Sequence, residues 1–310
     1  MPSLVILGAG GFLGRTMVAE SRSSLPIKAV ARSIPRDRKP ERPGVTWIEA
    51  DLMDPGSIDS VLEDGDVVVN LAYMPYASAA DNLRLIDNVV DASLRTGACR
   101  LVHCSTAVVV GASQAARVDE TTPCRPATSY ERSKWAVEQH VCAAVARGLD
   151  VAIVRPTAII GPGGQNLLSL SRSIRQAPRI ISYARACLFG ARPMHLVPVR
   201  DVAAALLHVA MLPGALAGEV FIASSDDDSS NNFRSVEVIL TEALALPRRT
   251  LPLLLLPTGM LSLLLRLRGR SETRLDRTYA HEKLRATGFR PVDTIAAVVR
   301  EFGESVRETS

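Results

Sequence analysis

The chain has 310 residues, of which 47% are hydrophobic, and its 36 basic and 32 acidic side chains give a net charge of +4. This size and composition suffice for one large core or two unequal lobes, and they exclude a small disulfide-stapled scaffold and a disordered chain. The weak, dispersed positive charge also argues against a nucleic-acid-binding protein, in which Lys and Arg would line one face.

Alternating strand and helix patterns fill the first half of the chain. Short β-branched runs predict strands at residues 4–7, 27–31, 45–50, 67–71, 101–105 and 151–155. Segments of helical length predict helices at 12–22, 55–62, 79–96, 129–147 and 167–176. Because near-continuous apolar strands separated by helices are typical of a parallel sheet covered on both faces, we expect a doubly wound α/β fold of the Rossmann type.

The second half of the chain has a less regular pattern. After about residue 161, Pro and Gly clusters interrupt it, and only short strands are predicted, near 196–199 and 219–223. We expect a dinucleotide-binding domain at 1–160 and, mainly in 161–310, a smaller C-terminal substrate-binding lobe, where α/β enzymes place specificity. The helix at 201–212 and the strand at 219–223 are expected to return to the first domain.

Cysteine and histidine usage indicates neither a metal site nor a disulfide framework. The five cysteines form no C-x-x-C pair and the five histidines are scattered, so we expect no metal and a reducing, cytoplasmic environment. The apolar stretch 251–267 is interrupted by prolines and is shorter than the about 20 residues of a membrane span. Followed by arginines up to residue 270, it is either a helix buried against the lobe or a dimer partner, or a surface helix in weak contact with a membrane or a lipid-linked substrate.

A glycine motif of the form GxxGxxG follows the first predicted strand and opens the first helix. Gly8 permits a tight turn, Gly11 lets the backbone approach a pyrophosphate, and Gly14 lets the helix pack close to the strand. The helix N-terminus attracts the phosphate charge. With Phe12 and Leu13 between its glycines, this loop is predicted to bind a dinucleotide.

The end of the second predicted strand indicates which dinucleotide is preferred. Arg32 and Ser33 stand where NAD-preferring folds place an acidic residue against the ribose. The planar guanidinium of Arg32 suits a 2′-phosphate, so NADP is favoured over NAD; a basic loop indifferent to the cofactor is the alternative. Three further basic residues follow in the loop: Arg36, Arg38 and Lys39. Asp51 and Leu52, after the third strand, are predicted to border the adenine.

A tyrosine and a lysine are placed for proton transfer. Tyr130 and Lys134 lie four residues apart on a predicted helix and therefore share a face. A phenol with a pKa near ~10 is a poor acid or base at neutral pH, and we expect the ammonium to lower the tyrosine pKa by about 1 to 3 units. A Y-x-x-x-K spacing also occurs on ordinary surface helices, but Thr106 at the end of the fifth strand favours a site.

Together these motifs resemble the NAD-dependent epimerase/dehydratase family of extended short-chain dehydrogenases/reductases, over nearly the whole chain. Further residues that carry the resemblance are Asn70, Leu71, Ala72, Gly111, Arg155, Pro156, Gly161 and Pro162. The resemblance implies that Thr106, with Ser105 beside it, binds the reacting oxygen and that Tyr130 relays the proton. It also implies that Lys134 holds the nicotinamide ribose and that Pro156 lies against the nicotinamide, while Leu71 and Ala72 contact the cofactor.

Within the family, the sequence after Arg155 is more similar to nucleotide-sugar 4-reductases and 4-epimerases of polysaccharide assembly than to steroid enzymes. The resemblance implies that Asn166 and Arg192 contact the diphosphate or uracil, with ordinary loop capping as the alternative. The chain departs from the family at Val110, where tyrosine is usual, so we expect a more apolar wall in the sugar pocket. Arg32 departs from the acidic residue of epimerases that retain NAD, and both departures favour a reductase.

Three functions remain open from the sequence. The leading hypothesis is an NADPH-dependent reductase of the 4-keto group of a nucleotide-activated sugar, in which Tyr130 supplies the proton and Thr106 polarises the oxygen. A 4-epimerase with tightly bound NAD(P) would use the same residues without net redox change. A non-catalytic NADP-binding sensor would have no need of the catalytic set. The resemblance further implies a homodimer formed by the helices at 79–96 and 129–147.

Overall fold

The computed structural model describes residues 1–21, 23–34, 43–176, 178–190, 192–247 and 276–308. Its strands are β1 (Leu4–Leu7), β2 (Ile27–Ala31), β3 (Val45–Glu49), β4 (Val67–Asn70), β5 (Arg100–Cys104), β6 (Arg117–Val118), β7 (Val151–Pro156), β8 (Ala158–Ile160), β9 (Leu196–Pro198), β10 (Glu219–Ala223) and β11 (Thr278–Tyr279). Seven of them form one parallel sheet in the order β10-β7-β5-β4-β1-β2-β3. This sheet confirms the predicted doubly wound fold.

The helices cover both faces of the sheet and build the smaller lobe. They are α1 (Phe12–Glu20), α2 (Pro55–Asp59), α3 (Ala79–Thr96), α4 (Ser129–Ala143), α5 (Gln165–Gln176), α6 (Arg179–Phe189), α7 (Val199–Ala210), α8 (Phe233–Ala243), α9 (Glu282–Ala286) and α10 (Ile295–Glu308). One helix predicted from the sequence, 129–147, is α4 followed by a separate 3-10 turn at Ala144–Arg147.

Two apolar layers enclose the sheet. On one face α1 and α7 pack together, and α7 contributes Val202, Leu206 and Val209, all fully buried. On the other face α2, α3 and α4 form the second layer, with Ile86 and Val89 of α3 buried at its centre. Strand β10 lies at the sheet edge beside β7 and runs parallel to it.

The second half of the chain is more helical than the sequence pattern suggested. The two short strands predicted there are present as β9 and β10, but the irregular pattern did not predict α6, α8 and α10, which are regular helices. Helices α8 and α10 pack against each other through a third core that includes Val236, Leu240 and Phe302. Their apolar residues recur at helical spacing, but the prolines and glycines between these helices obscured that period.

The strand order reverses beside β1, which lies between β4 and β2. In open parallel sheets the crevice outside the carboxyl ends of strands at such a point binds ligands. The loops after these strands carry the glycine motif and Leu71–Ala72, so the predicted cofactor residues meet at this crevice.

No helix within the described ranges is long and apolar enough to cross a membrane. The same ranges contain no group of three side chains able to hold a metal ion. The stretch 251–270, for which a buried helix or a membrane-surface helix was expected, lies outside the described residues, as do Arg36, Arg38 and Lys39.

Asp201, in the first turn of α7, makes the fold sensitive to pH. Its Oδ1 accepts hydrogen bonds from the backbone N–H groups of Val292 (2.6 Å) and Asp293 (3.0 Å), while Oδ2 has no partner among the described residues. Burial raises the pKa of this carboxyl to about 6. The folded protein therefore binds this proton more tightly than the unfolded chain, and stability is lost as the pH rises from about 4 through 6.

We expect Asp201→Asn to raise the midpoint of thermal unfolding at about pH 8, because the amide keeps an acceptor for both N–H groups without a buried charge. The advantage of the variant should shrink as the pH falls through 6 towards 4, where the parent carboxyl is protonated. Unfolding curves recorded across this range check the prediction, and a difference independent of pH would contradict it.

Candidate active site

Two glycines of the loop, Gly8 and Gly14, leave no room for a side chain. Gly8 has a φ of +87°, and a Cβ there would lie 3.1 Å from the backbone nitrogen of Ala72. A Cβ on Gly14 would lie 2.4 Å from the carbonyl oxygen of Gly8. Helix α1 begins after Gly11 with no side chain capping its first turn. The loop and helix end thus form a close-fitting backbone cradle suited to a pyrophosphate.

An open cavity of about 380 Å³ lies at this edge of the sheet. The predicted cofactor residues that line it are Gly8, Gly11, Arg32, Ser33, Asp51, Leu52, Leu71 and Ala72. The side chain of Leu13 packs in the core, so only its backbone is left to contact a cofactor. Phe12 packs against the turn at Gly161 and Gly164, and Gly14 is buried beneath the loop. These residues suit the adenosine and pyrophosphate of a dinucleotide.

Arg32 is exposed at the end of β2 and lines this cavity. The nearby Asp51 carboxylate accepts a hydrogen bond from the backbone of Met53 (3.0 Å), which turns it towards its own loop. We expect Arg32→Ala to weaken NADP binding by about 10- to 100-fold, because only NADP has a 2′-phosphate that loses a charge-assisted contact. NAD binding, measured by the same fluorescence titration, serves as the internal control. Equal losses for both cofactors would contradict the assignment.

Helix α4 presents Tyr130 and Lys134 to the carboxyl end of the sheet. It starts with a capping box, in which the Thr128 hydroxyl and the Glu131 carboxylate each accept the other's backbone N–H. Lys134 is 5% exposed, and its Nζ donates to the carbonyl oxygen of Cys104 (3.1 Å) at the end of β5. The cap fixes the helix start, so both predicted residues have defined positions.

Tyr73, which follows β4, is a site residue that the sequence analysis missed. Its ring lies 4.6 Å from Lys134 Nζ and stands edge-on to the Tyr130 ring, with the ring centres 5.8 Å apart. Its hydroxyl donates to Ser133 Oγ (3.2 Å). Its position directly after Asn70–Ala72 could have indicated this, because the carboxyl ends of neighbouring parallel strands lie at the same edge of the sheet.

The expected lowering of the tyrosine pKa is wrong for this structure. Burial, with a smaller contribution from Tyr73, raises the pKa of Tyr130 to about 12, and burial lowers the pKa of Lys134. The physical reason is that the ammonium donates to the Cys104 carbonyl, while the phenol is partly desolvated among other side chains. Tyr130 therefore keeps its proton throughout the neutral range, as an ordinary tyrosine does, and is a weaker acid than a free phenol.

Thr106 caps the 3-10 turn Ala107–Val110 and is partly buried, with its oxygen 3.5 Å from the Val108 N–H. Its hydroxyl can still donate to a substrate oxygen. The prediction that Val110 forms an apolar wall of the sugar pocket is wrong, because Val110 is fully buried in a small core cluster. Val108, which is exposed, instead lines a second, largely apolar cavity.

A buried network lies directly behind these residues. Ser105 donates to Glu138 Oε2 (2.5 Å), and Arg155 donates to both oxygens of Glu138, with 3.1 Å from Nε to Oε2. The three residues are 1 to 4% exposed. The Ser105 hydroxyl thus points into the core rather than towards a substrate. Each member adjoins a predicted site residue, since Ser105 precedes Thr106, Arg155 precedes Pro156, and Glu138 lies one turn after Lys134.

A second cavity, of about 430 Å³, begins at Ala107 and Val108 and extends into the smaller lobe. Its walls are largely apolar. In the part of the lining that the structure describes, Arg185 and Arg192 are present and Asp and Glu are absent. Arg192 was a predicted substrate contact and lies here. Asn166, the second predicted substrate contact, is exposed and is not part of this lining. Its side chain donates to the carbonyl oxygen of Ile159 (3.0 Å), as in ordinary loop capping.

Comparison with known proteins agrees with this geometry. The model of the NAD dependent epimerase/dehydratase family matches residues 4–222. The chain is 30% identical to sterol demethylase protein B of Methylococcus capsulatus over 233 residues, which are 72% of this chain and 69% of that protein. It is 27% identical to dTDP-4-dehydrorhamnose reductase of Mycobacterium tuberculosis over 264 residues, covering 80% and 78% of the two chains.

The structure of RMD from Pseudomonas aeruginosa complexed with NADPH shares the fold, with a TM-score of 0.69 and 20% identity over the whole of both chains. The family expected from the motifs is therefore confirmed, and NAD(P) is its cofactor. The chain is an enzyme that belongs to the NAD dependent epimerase/dehydratase family of extended short-chain dehydrogenases/reductases.

Proposed function

We propose that this protein is an NADP(H)-dependent reductase that acts on the 4-keto group of a nucleotide-activated sugar. The observation that carries the proposal is the second cavity, which starts beside Thr106 and, among the described residues that line it, has two arginines and no acidic side chain. Guanidinium groups bind phosphate oxygens in bidentate fashion, so Arg185 and Arg192 suit a nucleoside diphosphate. The relative from M. tuberculosis, named a dTDP-4-dehydrorhamnose reductase, supports the same class.

The reaction needs a hydride and a proton. Gly8, Gly11, Arg32 and Lys134 are the residues that would hold NADPH, which would supply the hydride when bound. Tyr130 donates its hydroxyl proton to the carbonyl oxygen, which becomes the product hydroxyl. Thr106 donates a hydrogen bond to the same oxygen and stabilises the developing negative charge.

A second candidate is oxidoreduction on a largely apolar ring. The side chains of Val108, Phe189, Met194 and Phe233 make most of the cavity wall apolar, and one relative is named sterol demethylase protein B. A sterol-like substrate carries no phosphate group for Arg185 and Arg192 to bind. For that reason we rank the nucleotide sugar first.

Consumption of NADPH, followed by its absorbance, tests the proposal on purified protein. The substrates are a panel of nucleotide 4-keto sugars, with a keto steroid as the apolar comparison. We expect turnover on at least one nucleotide sugar and none on the steroid. The panel also contains UDP-glucose, which has a hydroxyl at C4, together with the oxidised cofactor. Conversion of UDP-glucose into its C4 epimer without net change in the cofactor would identify a 4-epimerase, and turnover on the steroid alone would favour the second candidate.

We further propose that the chain forms a homodimer through α3 and α4. These helices lie side by side on one face of the sheet. Light scattering should then give twice the monomer mass of 33.3 kDa at micromolar concentration, and a monomer mass throughout would contradict the dimer.

A further inference from the structure

A histidine–aspartate pair stands in the wall of the substrate cavity, and the proposed hydride transfer does not use it. His195 lines this cavity together with Thr157, which follows Pro156 at the end of β7. The His195 Nδ1 lies 2.7 Å from Asp226 Oδ2. The side chain of Asp226 is 5% exposed, whereas that of His195 is 26% exposed. The histidine is therefore held from behind and open towards the cavity.

The pair fixes which ring nitrogen carries the proton. Asp226 Oδ2 also accepts the backbone N–H of Tyr279 (2.8 Å). An oxygen that accepts a backbone hydrogen bond in this way acts as a carboxylate acceptor, so Nδ1 must be the donor to it. In the neutral ring, Nε2 then carries the lone pair and can only accept a hydrogen bond.

Several independent contacts hold the ring in this orientation. The ring stands edge-on to Tyr279 with a centre distance of 5.0 Å, and the His195 carbonyl oxygen accepts the N–H of Ala158 (2.8 Å). The backbone of His195 has a φ of +52°, in the left-handed region that residues other than glycine rarely adopt. Such strain persists only where surrounding structure enforces it, and it concentrates at functional sites.

Thr157 supplies a second, independent observation at the same wall. Thr157 is 7% exposed and lines the cavity. Its Oγ1 has no hydrogen-bond partner among the described residues. A buried hydroxyl without a partner is rare in a folded protein, and a bound polar ligand would satisfy it. The backbone bond between Ala158 and His195 keeps Thr157 beside the histidine.

The rest of the lining makes this corner chemically distinct. Arg185 and Arg192 are donors only and suit an anion, while the phenylalanines and Met194 are apolar. His195 Nε2 offers the complementary group, an acceptor, and a ring hydroxyl is the substrate group that donates to it. The Thr157 hydroxyl can donate to or accept from the same substrate group.

We propose that His195, oriented by Asp226 and assisted by Thr157, forms a hydroxyl-recognition subsite that selects a sugar with a free hydroxyl near its carbonyl. This inference rests on the proposed function and deepens it, since it distinguishes a polyhydroxylated ring from an apolar one. His195 contacts the substrate, and Asp226 acts on the substrate only through His195.

The test compares His195→Phe with His195→Gln on a series of nucleotide 4-keto sugars, each lacking one ring hydroxyl. His195→Phe should lower kcat/KM on the parent sugar by about 10- to 100-fold, because the hydroxyl is left unpaired in the complex. On one deoxy sugar, the parent protein and His195→Phe should be within about threefold of each other. His195→Gln should recover part of the loss, because its amide oxygen accepts a hydrogen bond.

Titrations with NADP and thermal unfolding show whether each variant is folded, and neither should change in His195→Gln. Calorimetry gives the affinity of the NADP-loaded protein for UDP-glucose and its monodeoxy analogues. This affinity tests the same subsite without requiring hydride transfer. It is possible to separate the two proposals in this way. If no nucleotide 4-keto sugar is reduced, but removal of one sugar hydroxyl abolishes the difference in affinity between the parent protein and His195→Phe, the proposed function fails and the subsite stands. Equal losses on every sugar in both measurements, full activity of His195→Phe, or no nucleotide-sugar binding would overturn the inference.

Discussion

Replacement of Tyr130 by phenylalanine is expected to lower turnover by on the order of 10² to 10⁴ while NADPH still binds. The substitution removes only the hydroxyl that is proposed to donate the proton. The phenylalanine ring keeps the edge-on contact with Tyr73. The capping box of α4 is formed by other residues and is unaffected. Lys134 also keeps its bond to the Cys104 carbonyl, so the proposed ribose contact is retained. Steady-state kinetics and a fluorescence titration of NADPH measure the two quantities separately.

Tyr76→Phe is the matched control for this substitution. Tyr76 is fully exposed, so loss of its hydroxyl should change neither turnover nor NADPH affinity. Near-normal turnover of Tyr130→Phe on a substrate that the parent protein reduces would show that another group donates the proton.

Glu138→Gln is the second substitution expected to have a large effect. The carboxylate joins Ser105 of one strand end to Arg155 of another, next to Thr106 and Pro156. An amide cannot accept at both positions, and it leaves the buried guanidinium without a full counter-charge. We expect the unfolding free energy to fall by about 3 kcal/mol. We also expect kcat to fall by on the order of 10 to 10², because misplaced reacting groups slow the chemical step.

A second buried ion pair of the same kind provides the control. Arg100 Nε lies 2.7 Å from Asp150 Oδ2, and both side chains are at most 15% exposed. This pair lies at the opposite end of β5 from Thr106. Asp150→Asn should therefore destabilise the fold comparably without lowering kcat at a temperature where both variants are folded. A similar loss of kcat in both variants would contradict a specific positioning role for Glu138.

Much of the fold could be predicted because the signals for it are local. The β-branched runs of the sheet strands gave bounds within about two residues, and the motif at Gly8, Gly11 and Gly14 reflects steric limits that hold in any sequence. Helix α3 was predicted at its observed bounds, since a capping Ser78 and a terminal Gly97 flank a strongly amphipathic run.

The site could be predicted only in part because it combines distant segments. Tyr73, His195 and Tyr279 come from three separate loops or strand ends, and no local pattern connects them. The pKa of Tyr130 depends on desolvation by tertiary neighbours, which the i, i+4 spacing to Lys134 cannot reveal. Val110 was placed in the pocket by analogy alone, whereas the 3-10 turn directs Val108 there.

Transfer of deuterium from NADPH labelled at the reactive nicotinamide position to a nucleotide 4-keto sugar tests the central claim most directly. The account predicts one deuterium at C4 of the product, located by mass spectrometry and NMR, and one NADP formed for each sugar reduced. Tyr130→Phe should show the same label at a much lower rate. Tight binding of the labelled cofactor without transfer to any sugar in the panel would contradict the account and favour a binding protein that senses NADP.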